Sequence, residues 1–218
     1  MTGGIDETAT FLDAIRRGDR KGAFEVIDDA LDRGFALHYV HNRIITPALR
    51  EVGRLWQEDI MTVAEEHLAS GIAQAAMHRA FERTFHWKDR QTPRIVAACA
   101  PGEQHCIGLK MVCDLLELDG WDAIYLGASV PVEGLIDLVR EKNPDAVGIS
   151  ATIDPHIPRV QEVIDALRSA DLKKRPFVVV GGRAFLTDPS LGARVGADLT
   201  ATDGESAVKM LDRAVRGA

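Results

Sequence analysis

From residue 94 onward, short apolar runs alternate with segments of helical spacing, and this alternation limits the fold more than any other feature of the chain. Strands are predicted at residues 94–100, 121–126, 145–150 and 176–180, with a short fifth strand at 197–199. Helices are predicted at residues 105–119, 132–142, 157–167 and 205–215. Such alternation is typical of a parallel sheet covered on both faces, since each parallel connection needs a crossover. Ligands of these sheets bind at the carboxyl ends of the strands.

The first 88 residues have a different hydrophobic pattern, in which apolar side chains recur at helical spacing. Four such stripes follow one another with short loops between them, the last running from about Thr62 to Phe85. Short loops imply antiparallel neighbours, so a bundle of four or five helices is predicted. The first helix is expected to be capped within Thr8-Ala-Thr10. The expected boundary lies near Gln91-Thr-Pro93, which gives domains 1–90 and 91–218.

Charge and apolar content exclude several classes of function. The formal net charge is -7, and residues 1–90 carry 12 basic and 15 acidic side chains. Nonspecific binding to nucleic acid phosphates or to an anionic membrane is therefore not expected. No apolar stretch approaches the roughly 20 residues that span a bilayer, and the acidic N-terminus does not resemble a secretion signal. The three cysteines lie seven residues apart without zinc-site spacing, which favours a reducing, cytoplasmic location.

The strongest chemical signal lies just after the first predicted strand, in Gly102-Glu103-Gln-His105-Cys-Ile-Gly108. His105 is placed where a loop enters a helix, and Glu103 can accept a hydrogen bond from one of its ring nitrogens. A carboxylate behind a ligating histidine fixes the tautomer and raises the basicity of the ring. Gly108 removes a side chain one turn later, where a bulky ligand would approach the helix. Taken alone, a histidine in this position is more often a loop histidine that binds no metal.

This run resembles the cobalamin-binding motif Asp-x-His-x-x-Gly, with Glu103 in the Asp position. The other elements of that family follow in order: Leu126-Gly-Ala-Ser129-Val130-Pro131, Ser150-Ala-Thr152 and Gly181-Gly182. The resemblance covers residues 94–204 and implies a flavodoxin-like (Rossmann-type) α/β domain. It implies that His105 binds cobalt from below and that the displaced benzimidazole tail enters a slot beside Gly108, Ser150 and the two glycines. Thr152 is expected among the residues that bind the cofactor, and Ser129 and Val130 are expected under the corrin rim.

The helical half contains a second element, Trp56 followed by Glu66 and His67 with nine residues between the Trp and the Glu. It resembles the helical cap of the CarH/LitR-type cobalamin-dependent photoreceptors, in which these residues contact the 5′-deoxyadenosyl group. A Trp can pack on adenosyl, and Glu and His can bond ribose hydroxyls or base edges. The alternative is a buried bundle Trp beside a solvated Glu-His pair. Glu103 also favours these sensors, since methyl-carrying corrinoid proteins usually have Asp there.

Two departures from those photoreceptors affect the expected function. They usually begin with a helix-turn-helix DNA-binding domain, and no room for one is seen here. Some have a His directly after the cap Trp, where this chain has Gln57. Output through a protein partner, such as a transcription regulator or another signalling protein, is therefore expected, with a homo-oligomer as a further option and no direct contact with nucleic acid or membrane.

The main expectation is a cytoplasmic, adenosylcobalamin-binding light sensor that is not an enzyme. Methylcobalamin and hydroxocobalamin are the alternative cofactors, and a methyl-carrying corrinoid protein of a methyltransferase system is the alternative function. An isomerase part would need a separate catalytic barrel. A response-regulator receiver would need Asp where Ser150 stands, and no nicotinamide fingerprint follows the first strand. His156 could touch the corrin, whereas His38, His41 and His78 are expected on helix surfaces.

Overall fold

A computed structural model describes residues 6–86, 93–188 and 190–217 of the chain. The backbone contacts divide the protein into two compact units, residues 1–85 and 86–218.

The N-terminal unit is a helical bundle. Its helices are α1 (Glu7–Arg16), α2 (Arg20–Asp32), α3 (Leu37–Tyr39), α4 (Thr46–Gln57) and α5 (Val63–Thr84), with a π-helical segment, Val40–Ile45, between α3 and α4. The apolar stripes meet in a core that includes Phe11, Ile15, Ile27 and Ile44, all of them almost fully buried. The prediction of a helical N-terminal part is confirmed.

Two local expectations in the bundle are wrong. The cap of α1 is Asp6, whose carboxylate accepts the N–H of Ala9, so the helix starts before Thr8. His41 is buried and not on a helix surface. It lies in the π-helical segment, where the wider turn shifts side chains away from the face that a regular 3.6-residue period predicts.

The C-terminal unit is built on a parallel sheet. Its strands are β1 (Arg94–Cys99), β2 (Asp122–Gly127), β3 (Ala146–Ser150), β4 (Phe177–Gly181) and β5 (Leu199–Thr200). Its helices are α6 (Ile107–Asp119), α7 (Val132–Lys142), α8 (Ile157–Ser169), α9 (Arg183–Thr187), α10 (Leu191–Arg194) and α11 (Gly204–Val215), and a short 3-10 helix, Asp154–His156, precedes α8. In the described residues the strand order is β2-β1-β3-β4-β5, the flavodoxin-like order, as predicted.

Alternate strand residues pack on opposite faces of this sheet, because side chains in a strand point to the two faces in turn. Val96, Val147 and Val178 belong to the cluster that contains residues of α7 and α8. Ile95, Ala146 and Val179 belong to the cluster that contains residues of α6 and α11. Both faces are therefore covered, which explains why each strand reads as a continuous apolar run. None of the helices in the described ranges has the length and hydropathy to span a membrane.

Candidate cobalamin site

The last residues of the three central strands lie side by side. Cys99 of β1 pairs with Ser150 of β3, and Ser150 pairs with Gly181 of β4. The loops that leave these strands therefore start at the same edge of the sheet. The order of the strands reverses between β1 and β3, and such a switch point is where open α/β sheets form a crevice for ligands.

Gly182 allows two of these loops to approach each other closely. Its φ is +100°, and a Cβ at this position would lie 2.3 Å from the carbonyl oxygen of Ala151. A side chain here would displace the loop after β3, so glycine is required by both conformation and space. Ala151 also donates its N–H to the Gly181 carbonyl at 3.0 Å, which joins the Ser-Ala-Thr and Gly-Gly elements.

Glu103 is the buried centre of the edge, with none of its surface exposed. Its Oε1 accepts the backbone N–H of His105 at 2.9 Å and lies 2.5 Å from His105 Nδ1. Its Oε2 accepts the backbone N–H of Thr152 at 2.7 Å and lies 2.9 Å from His156 Nδ1. Four donors from the loops after β1 and β3 thus converge on one carboxylate.

These hydrogen bonds decide the charge of Glu103. Burial alone would raise the pKa of its carboxyl, but the donors from His105, Thr152 and His156 outweigh burial and lower the pKa to about 2. The group is therefore an ionised carboxylate at neutral pH. Buried charge of this kind is stable only when it is fully hydrogen-bonded, as it is here.

The ionised Glu103 also fixes the tautomer of His105. A carboxylate can only accept, so Nδ1 carries the hydrogen and Nε2 keeps a free lone pair. The His105 side chain is 61% exposed, whereas Glu103 behind it is buried. The arrangement fits an axial ligand for cobalt: an accessible imidazole nitrogen, with its other nitrogen held by a carboxylate.

Space for a ligand is available beside His105. A Cβ at Gly108, in the first turn of α6, would meet no atom within 4 Å. Ser129 has a left-handed backbone, φ +56°, and its Oγ accepts the Gln104 side-chain amide at 2.6 Å. Val130 packs against the sheet core, so the loop after β2 is anchored on one side and joined to the motif loop on the other.

In the bundle, the three predicted cap residues lie at the end of α4 and the start of α5. Trp56 is 45% exposed, which rules out the alternative of a buried bundle Trp. Thr62 and Glu65 form a capping box that fixes the first turn of α5. In that turn Glu66 accepts the Ser70 hydroxyl at 2.6 Å and lies 2.5 Å from Nδ1 of His67.

Three further large apolar residues that follow Trp56 in the sequence are exposed: Ile60 at 61%, Val63 at 56% and Leu68 at 51%. We call Trp56, Ile60 and Val63 the apolar patch of the bundle. Asp59, with a left-handed φ of +57°, lies in the turn between its members.

Sequence reasoning missed the role of His156. It was expected as a loop residue that could touch the corrin, whereas the structure places its ring on the buried carboxylate of Glu103. The two residues are 53 positions apart, and no local pattern joins them. The only sequence feature that could have indicated this contact is the position of His156 shortly after the third strand.

Comparison with known proteins agrees with this geometry. The family model described as the B12 binding domain matches residues 93–212, and a second model of the same description matches residues 8–80. The chain belongs to the B12-binding domain family. Cobalamin binding, predicted from Glu103, His105 and Gly108, is thereby confirmed in its general form.

Individual relatives fall into two groups. The chain is 26% identical to dimethylamine corrinoid protein 2 of Methanosarcina acetivorans, over 84% of this chain and 78% of that protein. It is 30% identical to the HTH-type transcriptional repressor CarH of Myxococcus xanthus, over 80% of this chain but only 57% of that protein. The solved monomethylamine corrinoid protein of Methanosarcina barkeri matches with a TM-score of 0.76 at 20% identity, covering 92% of this chain and 94% of that one, which shows the shared fold.

The B12-binding family and the CarH likeness confirm the resemblance inferred from the motifs. The relatives reported above are corrinoid proteins and a repressor, which agrees with the expectation that the chain binds a cofactor and is not itself an enzyme.

Proposed function

We propose that the chain is an adenosylcobalamin-dependent light sensor that signals through a protein partner. The observation that carries the proposal is the exposed Trp56 in the apolar patch of the bundle, close in sequence to the hydrogen-bonded Glu66 and His67 pair. A methyl group on cobalt is too small to need an indole, two acceptor oxygens and an imidazole. Adenosyl offers a flat ring for stacking and hydroxyls for the polar pair.

On the lower side, His105 is the proposed cobalt ligand. Glu103 holds its Nδ1–H, so Nε2 is presented to the metal without rotation of the ring. The slot for the benzimidazole tail is proposed to be formed by Gly108, Ser150, Thr152, Gly181 and Gly182. Ser129 and Val130 are proposed to lie at the corrin rim. The support for the slot is the open space at Gly108 and the alignment of Ser150 with Gly181 at one edge.

When bound, adenosylcobalamin supplies a cobalt–carbon bond that visible light breaks. Trp56, Glu66 and His67 are proposed to hold the adenosyl group in the dark. After its loss, Glu66 and His67 keep their mutual hydrogen bond, but the apolar patch loses its cover. An uncovered patch changes the affinity of the bundle for another protein surface, which is the signal.

A second function has its own support. The likeness to dimethylamine corrinoid protein 2 spans most of both chains, and the fold matches the monomethylamine corrinoid protein. A carrier of methyl groups would use the same His105 ligand and would present the methyl group to separate enzymes. In that case Trp56 would shield a methyl–cobalt bond and would not select adenosyl.

The test is to load the protein with adenosylcobalamin in the dark and to record absorption spectra and gel-filtration profiles before and after green light. For a sensor we expect photolysis in the spectrum together with a change in size, or in the proteins retained from its native host. Photolysis with identical profiles, combined with equal affinity for methylcobalamin, would contradict the sensor and support the methyl carrier.

A further inference from the structure

The three cysteines of the chain come together beside the lower site. Cys99 ends β1, Cys106 immediately precedes α6, and Cys113 lies two turns into that helix. Cys99 and Cys113 belong to one buried cluster, and the half-buried Cys106 side chain packs against it. We propose that Cys99 and Cys106 form a reversible disulfide on oxidation, which closes the motif loop and weakens cobalamin binding. The effect on binding rests on His105 being the cobalt ligand of the proposed function.

Of the three possible pairs, Cys99 and Cys106 fit a disulfide best. The Cys99 thiol donates to the His105 carbonyl, with 3.8 Å between sulfur and oxygen. That carbonyl belongs to the peptide bond that leads directly into Cys106. By contrast, seven residues of helical rise separate the Cα atoms of Cys106 and Cys113 by about 10 Å, whereas disulfides join Cα atoms about 4.4–6.8 Å apart. Cys99 and Cys113 are both buried, so a dissolved oxidant does not reach that pair first.

Cys106 is where an oxidant enters, because it is the one cysteine of the three that is partly exposed. Its sulfur attacks hydrogen peroxide: an S–O bond forms, the O–O bond breaks, and the released hydroxide takes up the thiol proton and leaves as water. The Cys99 sulfur then attacks the sulfur of this sulfenic acid. The S–S bond forms, the S–O bond breaks, and a second water carries away the Cys99 proton. Both sulfurs are oxidised and both peroxide oxygens are reduced, and a dithiol reverses the change.

The disulfide acts on His105 through the peptide group beside the two sulfurs. Oxidation removes the Cys99 thiol hydrogen, so the His105 carbonyl loses that donor. The sulfurs must also approach to about 2.05 Å, well inside packing distance, and the chain between them has to follow.

The start of α6 resists this movement. The Cys106 carbonyl accepts the Tyr125 hydroxyl at 3.2 Å and the Lys110 N–H at 3.1 Å. The displacement therefore falls on the motif loop, which holds His105. A metal ligand tolerates only about 0.5 Å of such displacement, so the closed loop presents the imidazole poorly.

Cofactor binding and oxidation oppose each other in this arrangement. Cobalt bound to His105 holds the motif loop in its reduced position, so a loaded site protects the two cysteines. A closed loop, in turn, binds cobalamin less well. These are two sides of one coupling, and the lower site accepts its cofactor best while the cysteines are reduced.

The experiment treats cofactor-free protein with hydrogen peroxide, removes the excess with catalase, and alkylates the remaining thiols in denaturant before digestion with trypsin. Cleavage after Arg94 and Lys110 leaves Cys99 and Cys106 in one peptide and Cys113 in the next. We expect the first peptide to be unlabelled and lighter by two hydrogen atoms, and Cys113 to be labelled. Dithiothreitol should restore labelling of all three.

Cys99→Ala and Cys106→Ser should each abolish the disulfide. The matched control is Cys113→Ala, which removes a buried cysteine of the same cluster and should leave disulfide formation as in the wild type. Should Cys99→Ala fail to fold, the wild-type peptide map still decides. Labelled Cys99 and Cys106 after peroxide treatment, or a cross-link between the two peptides, would overturn the inference.

Oxidised protein should bind adenosylcobalamin roughly tenfold more weakly in the dark, measured by fluorescence quenching, and should regain its affinity on reduction. Adenosylcobalamin bound beforehand should protect both cysteines from peroxide. Equal affinities of the oxidised and reduced forms would also overturn the inference. His105→Ala separates the two levels. If the reduced variant binds as well as the wild type, the proposed cobalt ligand is wrong and this inference fails with it. If it binds less well, while oxidation of the wild type has no effect, only this inference fails.

Discussion

At the scale of single residues, Glu103 does the most to define the site. Its carboxylate is buried and ionised, and it accepts hydrogen bonds from two loops. It therefore joins these loops and is also the electrostatic partner of His105. The same side chain couples the stability of the unit to pH, because its pKa differs between the folded and unfolded protein.

We expect Glu103 to stabilise the cofactor-free protein above about pH 4.5 and to lose this effect as the pH falls. The folded pKa is lowered to about 2 from an ordinary 4.5, so the contribution is complete above 4.5 and disappears as the pH falls through about 2. Full realisation of the shift corresponds to about 3 kcal/mol. Unfolding by urea at several pH values, for the wild type and Glu103→Gln, measures it. A stability difference between the two that is constant from pH 5 to pH 2 would contradict the prediction.

Under the proposed function, Trp56 is the residue that selects adenosyl over methyl as the upper ligand. Stacking of an aromatic side chain on a nucleobase contributes about 1–3 kcal/mol. Trp56→Ala should therefore lower the affinity ratio of adenosylcobalamin to methylcobalamin about tenfold, as measured by fluorescence quenching titrations in the dark. Phe177→Ala, which removes an exposed aromatic ring at the first residue of β4, is the control. Equal loss of both cofactors would mean that Trp56 only supports the bundle.

At the scale of elements, the strands and most helices follow from the sequence because their burial is regular. Each central strand is buried on both faces and is therefore an uninterrupted apolar run. The π-helical segment around His41 breaks the 3.6-residue period, so the face of that residue could not be predicted. The start of α1 was misplaced since Asp6, Thr8 and Thr10 are all good caps, and only the structure shows which one begins the helix.

The close approach of the loops after β3 and β4 gives a prediction for Gly182. A methyl group at this residue meets the Ala151 carbonyl and adds strain at a φ of +100°. Gly182→Ala should lower the free energy of unfolding by about 3 kcal/mol and weaken cobalamin binding, measured by urea denaturation and by titration. Gly53→Ala is the matched control: it lies within α4, has no atom within 4 Å of the added carbon, and should be neutral or stabilising by up to about 1 kcal/mol. An equal effect of the two changes would contradict the conclusion that residue 182 must be glycine.

At the scale of the whole molecule, the two units differ in how much of their function could be predicted. The lower motif is local, so Glu103, His105 and Gly108 could be predicted as site residues from seven consecutive residues. His156 was not, because its contact with Glu103 depends on how two loops 53 residues apart meet. Trp56 in the bundle could be predicted as a site residue only through its spacing to Glu66, since a lone aromatic on a helix usually indicates a core position.

The charge of the whole chain predicts that it does not bind DNA. With a net charge of -7 spread over both halves, it cannot neutralise several phosphates at once. Fluorescence anisotropy with a random duplex and with promoter DNA, from low to physiological salt, should show no saturable binding in the dark or after light. Tight binding that weakens steeply with salt would contradict this and would mean that the protein signals by binding nucleic acid.

The order of the strands also has a consequence for how the protein is made. β1 lies between β2 and β3, and the crevice needs the ends of β1, β3 and β4 together, so it cannot exist until the ribosome has released residues near Gly182. The helical unit, by contrast, consists of segments close in sequence and can form while the rest of the chain is still being synthesised. Cofactor loading is therefore a late event, and an unfinished chain exposes its bundle before it has any means of capturing cobalamin.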